Sequence, residues 1–328
     1  MRSRSLLRAF LSLAAAALLF GSTALAQSGR LMLYVSHPTE MVDFYVERFT
    51  NATGIEVDIV YGGTGELLAR IGAEAARPQA DIMWGGGSHT GASAPHLFRP
   101  YVSDALEGIS EEMRDPEGYN APFDAFTMVI VYNKDLVPEA EVPRTWAELA
   151  DAKWKGRVVH ANPAVSSSSY AAMVTWLEIG GWELIESLAR NQIIAESSSA
   201  PFNQVGQGEN AIGVAYEEGA FRWVDSGRIG IVYPEDGVAL LPGGLFLVKD
   251  SPNQDAAQAF ADFVLSLESQ EALVENFLGR RPAHKDVALN PAMRSVTELN
   301  VIPYPAEAAA ANREQYLAQW RDIMIRTR

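Results

Sequence analysis

The strongest constraint on the fold is an alternation of strand and helix patterns near the start of the chain. Short apolar runs rich in strand-forming residues alternate with segments whose apolar residues recur at i, i+3, i+4 and i+7, the spacing of one helix face. The pattern runs through Leu31–Ser36 (strand), Met41–Thr53 (helix), Ile55–Tyr61 (strand), Glu66–Ala76 (helix) and Ala80–Trp84 (strand). Such βαβ units predict an α/β fold with parallel strands.

The remainder of the chain carries a second set of such patterns. Phe126–Tyr132 is a continuous apolar run, typical of a strand buried on both faces, whereas Tyr170–Ile179 and Ala306–Ile325 have helical spacing. A chain of 328 residues is long enough for about two domains. Because no flexible linker separates the two halves, we expect the chain to cross between two lobes more than once.

The first 26 residues have the pattern of a secretory leader. Arginines at positions 2, 4 and 8 precede an apolar stretch, Ala9–Phe20, and a small-residue cleavage motif, Ala24–Ala26. The apolar stretch is too short for the roughly 20 residues that a membrane-spanning helix needs. The sequence therefore predicts cleavage after Ala26 and export, with the periplasm as the expected location.

Charge and cysteine content exclude several classes of function. The chain has 41 acidic and 26 basic side chains, a formal net charge of −15, which opposes binding to nucleic acid. With no cysteine, thiolate metal sites, disulfides, iron–sulfur ligation and cysteine nucleophiles are all excluded.

Small polar residues gather where predicted strands lead into helices. Four junctions have this character: Ser36–Thr39, Gly62–Gly65, Gly85–Thr90 and Ser166–Ser169. Ligands of open α/β sheets bind at the carboxyl ends of strands, and helix N-termini offer free N–H groups to an anion. Each junction alone also has a simpler explanation, because Ser and Thr are common helix N-caps. Together they favour a shared polar site.

The residues that enzymes use are not arranged in a recognisable motif. The serine run has no Gly-x-Ser-x-Gly elbow, and the five histidines lack HExxH or similar spacing. Glu217 and Glu218 are adjacent, so on a strand they would face opposite sides and not form an acid–base pair. We therefore expect a binding protein without cofactor or resident metal. A phosphoesterase that uses Ser166 or a histidine-bound metal is the enzymatic alternative.

Several segments resemble one family. The chain is similar to periplasmic solute-binding proteins of ABC importers, in the branch that binds ferric ion, hexose phosphates or aminoethylphosphonate. The likeness extends from about residue 31 to 280 and is carried by TWAELADAKWKGRV with the following Pro-Ala-x-Ser-Ser run, ADIMWGGGSHT, AIGVAYEEGA and IVYPEDG.

This resemblance implies a type II, Venus-flytrap fold. Each of two lobes would be a mostly parallel sheet flanked by helices, with crossover strands as the hinge. The expected organisation is leader 1–26, lobe 1 from 27–125 and 236–290, lobe 2 from 126–235, and a C-terminal helical segment, 291–328. The implied partners are a small anionic solute and an inner-membrane ABC permease, and the protein is expected to be a monomer. A sensor that hands its signal to a membrane receptor is the alternative role.

The resemblance leaves two ligands open. For a phosphorylated or phosphonate solute, the expected contacts are His37, Thr64, Gly65, Ser88, His89, Thr90, Ser166, Ser167, Ser168, Tyr216, Glu217 and Glu218. For ferric ion the ligands would be His37, Tyr216 and Glu217. Ferric-ion binders of this branch use two adjacent tyrosines, and here the matching segment reads Ala215-Tyr216. This departure favours the phosphorylated solute.

Overall fold

The computed structural model describes residues 29–327, so the predicted leader lies outside the described residues. Within that range no helix is long and apolar enough to span a bilayer. The strands described there are β1 (Arg30–Val35), β2 (Glu56–Tyr61), β3 (Ile82–Gly87), β4 (Phe98–Arg99), β5 (Ala121–Phe126), β6 (Met128–Asn133), β7 (Val158–Ala161), β8 (Gln192–Ala195), β9 (Ile212–Tyr216), β10 (Ile229–Val232), β11 (Leu241–Val248) and β12 (Arg281–Pro282).

The α-helices connect and cover these strands. They are α1 (Thr39–Thr53), α2 (Thr64–Ala73), α3 (His89–Ser93), α4 (Ser167–Ala189), α5 (Ala200–Gln207), α6 (Glu217–Phe221), α7 (Gln254–Leu265), α8 (Leu267–Asn276), α9 (Ala306–Ala311) and α10 (Arg313–Thr327). Short 3-10 turns, such as Ala147–Ala150, complete the connections.

The strands form two sheets. The first has the order β12-β5-β11-β3-β1-β2, with β4 beside β11, and the second has the order β10-β6-β9-β7-β8. We call the first sheet with its helices lobe 1 and the second sheet with its helices lobe 2. The two-lobed α/β architecture is as predicted.

The pairing within each sheet corrects the expectation of mostly parallel sheets. β1 pairs in parallel with β2 and β3, and β7 pairs in parallel with β8 and β9. β11 runs antiparallel to β3 and β5, and β6 runs antiparallel to β9 and β10. β11 and β6 each enter their sheet from the other lobe, so neither is the product of a βαβ crossover.

Each sheet is buried on both faces. In lobe 1, α1 and α7 supply Phe49 and Phe260 to one face, and Leu67 of α2 packs on the other. In lobe 2, α4 and α10 cover one face with Trp176 and Trp320, while α5 covers the other. Burial on both faces explains why the central strands read as continuous apolar runs.

Between residue 29 and the end of β12, the chain crosses from one lobe to the other at two places. The predicted apolar run Phe126–Tyr132 is divided by Thr127, with β5 on one side in lobe 1 and β6 on the other in lobe 2. The return lies between β10 and β11. The buried Thr127 hydroxyl donates to the Ala239 carbonyl at 2.8 Å, which ties the two crossovers together.

Two further elements differ from the sequence-based expectation. β3 continues to Gly87, three residues beyond the predicted end at Trp84. The predicted terminal helix is divided at Asn312 into α9, which packs against α3 of lobe 1, and α10, which packs against α4 of lobe 2.

Candidate functional site

A cleft of about 520 Å³ lies between the two lobes, where the carboxyl ends of several strands meet. Lobe 1 and the crossover contribute Ser36, His37, Pro38, Thr64, Gly86, Asp124, Phe126, Gly243 and Arg280, and lobe 2 contributes Ser167, Ser168, Ser198, Tyr216 and Glu218. The side chains divide by chemistry into hydroxyl groups linked by hydrogen bonds and charged groups paired with one another, called here the hydroxyl end and the charged end.

Ser166 organises the hydroxyl end without facing the cleft. It is the N-cap of α4, and its Oγ accepts from the Ser169 N–H at 3.1 Å and from the Ser198 hydroxyl at 2.8 Å. Both acceptor positions of the Ser166 hydroxyl are then occupied. Its proton must therefore go to Ser168 Oγ, 3.1 Å away, which leaves the Ser168 proton free to be donated into the cleft.

A second pair of hydroxyls has the same effect in lobe 1. The Thr64 hydroxyl donates to Ser36 Oγ at 3.1 Å, and Ser36 keeps its own proton for a group in the cleft. Gly86 makes this close approach possible. Its φ is +94°, and an added Cβ would lie 2.7 Å from Thr64 Cγ2 and 2.8 Å from Thr90 Oγ1. The hydroxyl end thus presents hydrogen-bond donors.

Arg280 contacts both carboxylates and the imidazole at the charged end. Its buried guanidinium pairs with Asp124 of β5 and with Glu218 of α6, and it lies 3.3 Å from His37 Nδ1. Asp124 and Arg280 belong to lobe 1 and Glu218 to lobe 2, so the cluster also joins the lobes. When all three groups are ionised, their net charge is −1.

Burial controls the protonation of this end. Burial raises the pKa of Glu218 to about 7, with the Arg280 charge opposing the rise and the Asp124 charge adding to it. Burial, then the Arg280 charge, lowers the pKa of His37 well below its ordinary value, so this imidazole is neutral. Burial raises the pKa of Tyr216, which keeps its phenol protonated at neutral pH.

Glu217 lies outside the cleft, unlike its neighbour Glu218. Glu217 is buried and accepts two hydrogen bonds from Arg281, at 2.7 and 2.8 Å, and one from the Tyr233 hydroxyl. The two glutamates open the short helix α6, so their side chains leave the backbone in different directions. Because Arg281 lies on β12 and Glu217 on α6, this bidentate ion pair is a second tie between the lobes.

Several other predicted contact residues lie behind the cavity lining. Ser88, His89 and Thr90 are carried past the cleft because β3 extends to Gly87. Gly65 lies at the contact between lobes, where its N–H points at the Val165 carbonyl at 3.4 Å. The structure therefore brings together His37, Thr64, Ser167, Ser168, Tyr216 and Glu218 at the cleft and places Gly65, Ser88, His89, Thr90, Ser166 and Glu217 around it.

Sequence reasoning missed Asp124 and Arg280. An aspartate inside the apolar segment APFDAF is a signal, because a charge on a buried strand needs a partner. The partner is 156 residues away along the chain, and no local pattern identifies Arg280. Among residues 29–327, no group of three or more His, Asp or Glu side chains is placed to hold a metal ion together.

Two α/β lobes that enclose a polar cleft and are joined by crossover strands define the class of two-lobed solute-binding proteins. Residues 78–304, more than half of the chain, match the family described as bacterial extracellular solute-binding protein, and this chain belongs to that family.

The names of proteins similar to this chain refer to different solutes. Iron uptake protein A1 of Synechocystis sp. is 29% identical over 277 residues, which cover 74% of each chain. A putative 2-aminoethylphosphonate-binding periplasmic protein of Salmonella typhimurium is 24% identical over 294 residues, 85% of this chain and 82% of the relative. The fructose-6-phosphate-bound periplasmic binding protein AfuA of Actinobacillus pleuropneumoniae superposes with a TM-score of 0.86 at 24% identity, over 91% of this chain and 99% of that one. The family resemblance and fold class inferred from the sequence are confirmed.

Proposed function

We propose that this protein is the periplasmic receptor of an ABC importer and that its solute carries a phosphoryl or phosphonate group. The observation that carries the proposal is the hydroxyl end of the cleft, where the bonds among Ser36, Thr64, Ser166, Ser168 and Ser198 leave free donors. A tetrahedral oxyanion has several acceptor oxygens and matches a set of converging donors.

Helix termini add to the attraction for an anion. The helices α1, α2 and α4 begin at Thr39, Thr64 and Ser167, beside or within the cleft lining. Each N-terminus contributes free N–H groups and the positive end of a helix dipole. The anion is then held without an unpaired cation, because the charge of Arg280 is already balanced by two carboxylates.

The charged end would bind the other part of the solute. Asp124 and Glu218 accept hydrogen bonds from sugar hydroxyls or from an amine, and the neutral His37 and Tyr216 stand beside them. The names of the relatives, which include a fructose-6-phosphate complex and an aminoethylphosphonate binder, are consistent with a solute of this kind.

The proposed role is capture and delivery, not catalysis. The lobes, 27–125 with 236–290 and 126–235, would close on the solute by a hinge motion at the two crossovers and present the closed form to an inner-membrane permease. The leader 1–26 would direct the protein to the periplasm, where it would act as a monomer.

Ferric ion is the second candidate. Its support is that His37, Tyr216 and Glu218 face one cleft and that relatives such as iron uptake protein A1 carry an iron-related name. The expected ligand Glu217 is bound to Arg281, so Glu218 would replace it. The buried guanidinium of Arg280 at this end opposes a trivalent cation.

Thermal unfolding against a set of solutes tests the proposal. Fructose 6-phosphate, glycerol 3-phosphate, aminoethylphosphonate, inorganic phosphate, fructose and ferric citrate would each be added to the purified protein. A ligand at a hundred times its Kd adds about 2.7 kcal/mol, which raises the Tm of a lobe of this size by roughly 5–10 °C. We expect shifts with phosphoryl or phosphonate compounds and none with fructose. A shift confined to ferric citrate would refute the proposal and support the second candidate.

A further inference from the structure

His89 is buried beside the cleft and contacts one of its lining residues across the lobe boundary. Its Nε2 lies 3.2 Å from Ser167 Oγ, and the Gly87 N–H donates to the same oxygen at 2.9 Å. Gly87 and His89 belong to lobe 1, whereas Ser167 is the first residue of α4 in lobe 2. The three groups meet only when the lobes are together.

The tautomer of His89 decides what Ser167 can do. A hydroxyl has one proton to donate and two positions that accept. If the proton of His89 is on Nε2, it donates to Ser167 Oγ, and with Gly87 N–H it fills both acceptor positions. The Ser167 proton is then available only to a group in the cleft. If the proton is on Nδ1, the Ser167 hydroxyl donates to His89 and is lost to the solute.

The surroundings of the ring favour the Nε2–H tautomer. Nδ1 is buried and has no hydrogen-bond partner among the described residues. Buried N–H groups without a partner are rare in folded proteins, whereas acceptors without a full set of partners are less rare.

We infer that His89 is a positioning residue: it holds the Nε2–H tautomer and thereby makes Ser167 a hydrogen-bond donor to the solute. Ser167 joins Ser36 and Ser168 as a third donor at the same end of the cleft, and it selects for an acceptor such as a phosphoryl oxygen. This inference rests on the proposed function for the nature of that acceptor.

His89 does not act as a base in this arrangement. Burial, with the Arg313 charge, lowers the pKa of His89 to about 3, so the imidazole does not take the Ser167 proton at neutral pH. The Ser–His contact therefore orients a hydroxyl and does not create a nucleophile.

Variants that keep or remove the donor test the inference. His89→Gln retains an N–H donor, and His89→Leu removes it at similar size. We expect His89→Leu to weaken binding of fructose 6-phosphate about tenfold, as for loss of a hydrogen bond to a charged group, and Ser167→Ala to do the same. The double variant His89→Leu with Ser167→Ala should bind fructose 6-phosphate no more weakly than either single variant. The affinity of His89→Gln should lie within about threefold of that of the parent protein. Equal losses in His89→Gln and His89→Leu would show a purely structural role and overturn the inference.

Imidazole ¹⁵N chemical shifts give a readout that does not depend on the proposed function. The histidines would be labelled with ¹⁵N, and fructose 6-phosphate would be added to close the lobes. Gallium(III) citrate, a diamagnetic replacement for ferric citrate, would be the alternative solute. The signals that disappear in His89→Gln identify His89. We expect a protonated Nε2, an unprotonated Nδ1 and no titration between pH 6 and 8. A protonated Nδ1 would refute the inference with either solute. Failure of every phosphorylated compound to bind would refute the proposed function instead.

Discussion

Replacing Arg281 by methionine is expected to lower the Tm by about 10 °C. The substitution leaves the Glu217 carboxylate buried, 1% exposed, with Tyr233 as its remaining side-chain partner. Removal of one member of a buried ion pair costs about 3–5 kcal/mol, and each kcal/mol lowers the Tm of a domain of this size by about 2–4 °C. The measurement is thermal unfolding of the ligand-free protein followed by circular dichroism.

Two controls separate this pair from ordinary surface charge. Arg190→Met removes an exposed i,i+4 partner of Glu186 and should change the free energy of unfolding by less than about 1 kcal/mol. Arg281→Met combined with Glu217→Gln should be more stable than the sum of the single changes, because the second change removes the uncompensated charge. A Tm loss below 2 °C for Arg281→Met would contradict the assigned role of the pair as a tie between the lobes.

Gly65→Ala is expected to weaken solute binding tenfold or more while leaving the ligand-free protein at least as stable. A Cβ at this position would lie 2.3 Å from the Ala164 carbonyl oxygen, a backbone atom of the other lobe. The clash can be relieved only by keeping the lobes apart, so the closed form loses stability relative to the open form. Within α2 itself, alanine is a better helix former than glycine by up to about 1 kcal/mol.

Gly72→Ala is the matched control, since Gly72 lies on the same helix and faces solvent. Its added Cβ would have a single neighbour, Leu97 Cδ1 at 3.7 Å, an ordinary contact. We expect unchanged solute affinity for Gly72→Ala, measured by calorimetry with the compound that shifts the Tm most. Equal affinities of the two variants would mean that this contact is not part of the closed state.

Much of the architecture could be predicted because local patterns dictate it. Gly54, the residue directly after the predicted helix Met41–Thr53, has a φ of +73° and donates its N–H to the Thr50 carbonyl at the end of α1. Gly180 and Gly181 interrupt α4 directly after the predicted helix end at Ile179. The direction of β11 and β6 was not predictable in the same way, because it depends on which lobe the chain has just left.

The candidate site was predictable where it depends on strand ends and unpredictable where it depends on distant pairs. Thr64, Ser167 and Ser168 follow strands and reach the cleft as expected. The roles of Glu217 and Glu218 could not be distinguished from sequence, because their partners Arg281 and Arg280 lie about sixty residues away on a different lobe. Pairing of two adjacent arginines with two adjacent glutamates is a property of the tertiary fold.

The pH dependence of solute binding tests the central claim most directly. With the pKa of Glu218 raised to about 7, an anion bound nearby favours the protonated carboxyl, whereas a metal ion displaces that proton. A phosphorylated solute without an amine should therefore bind with an affinity that rises as pH falls from 8.5 to 6.8, a range above the second phosphate pKa of about 6. Glu218→Gln should remove this dependence.

The measurement is titration calorimetry with fructose 6-phosphate, fructose and ferric citrate across that pH range. The account predicts binding of fructose 6-phosphate, or of another phosphate ester without an amine that raises the Tm, with an affinity about threefold to tenfold higher at pH 6.8 than at pH 8.5. This stays within the tenfold per pH unit that one coupled proton allows. Binding of ferric citrate alone, with an affinity that falls as the pH is lowered, would contradict it.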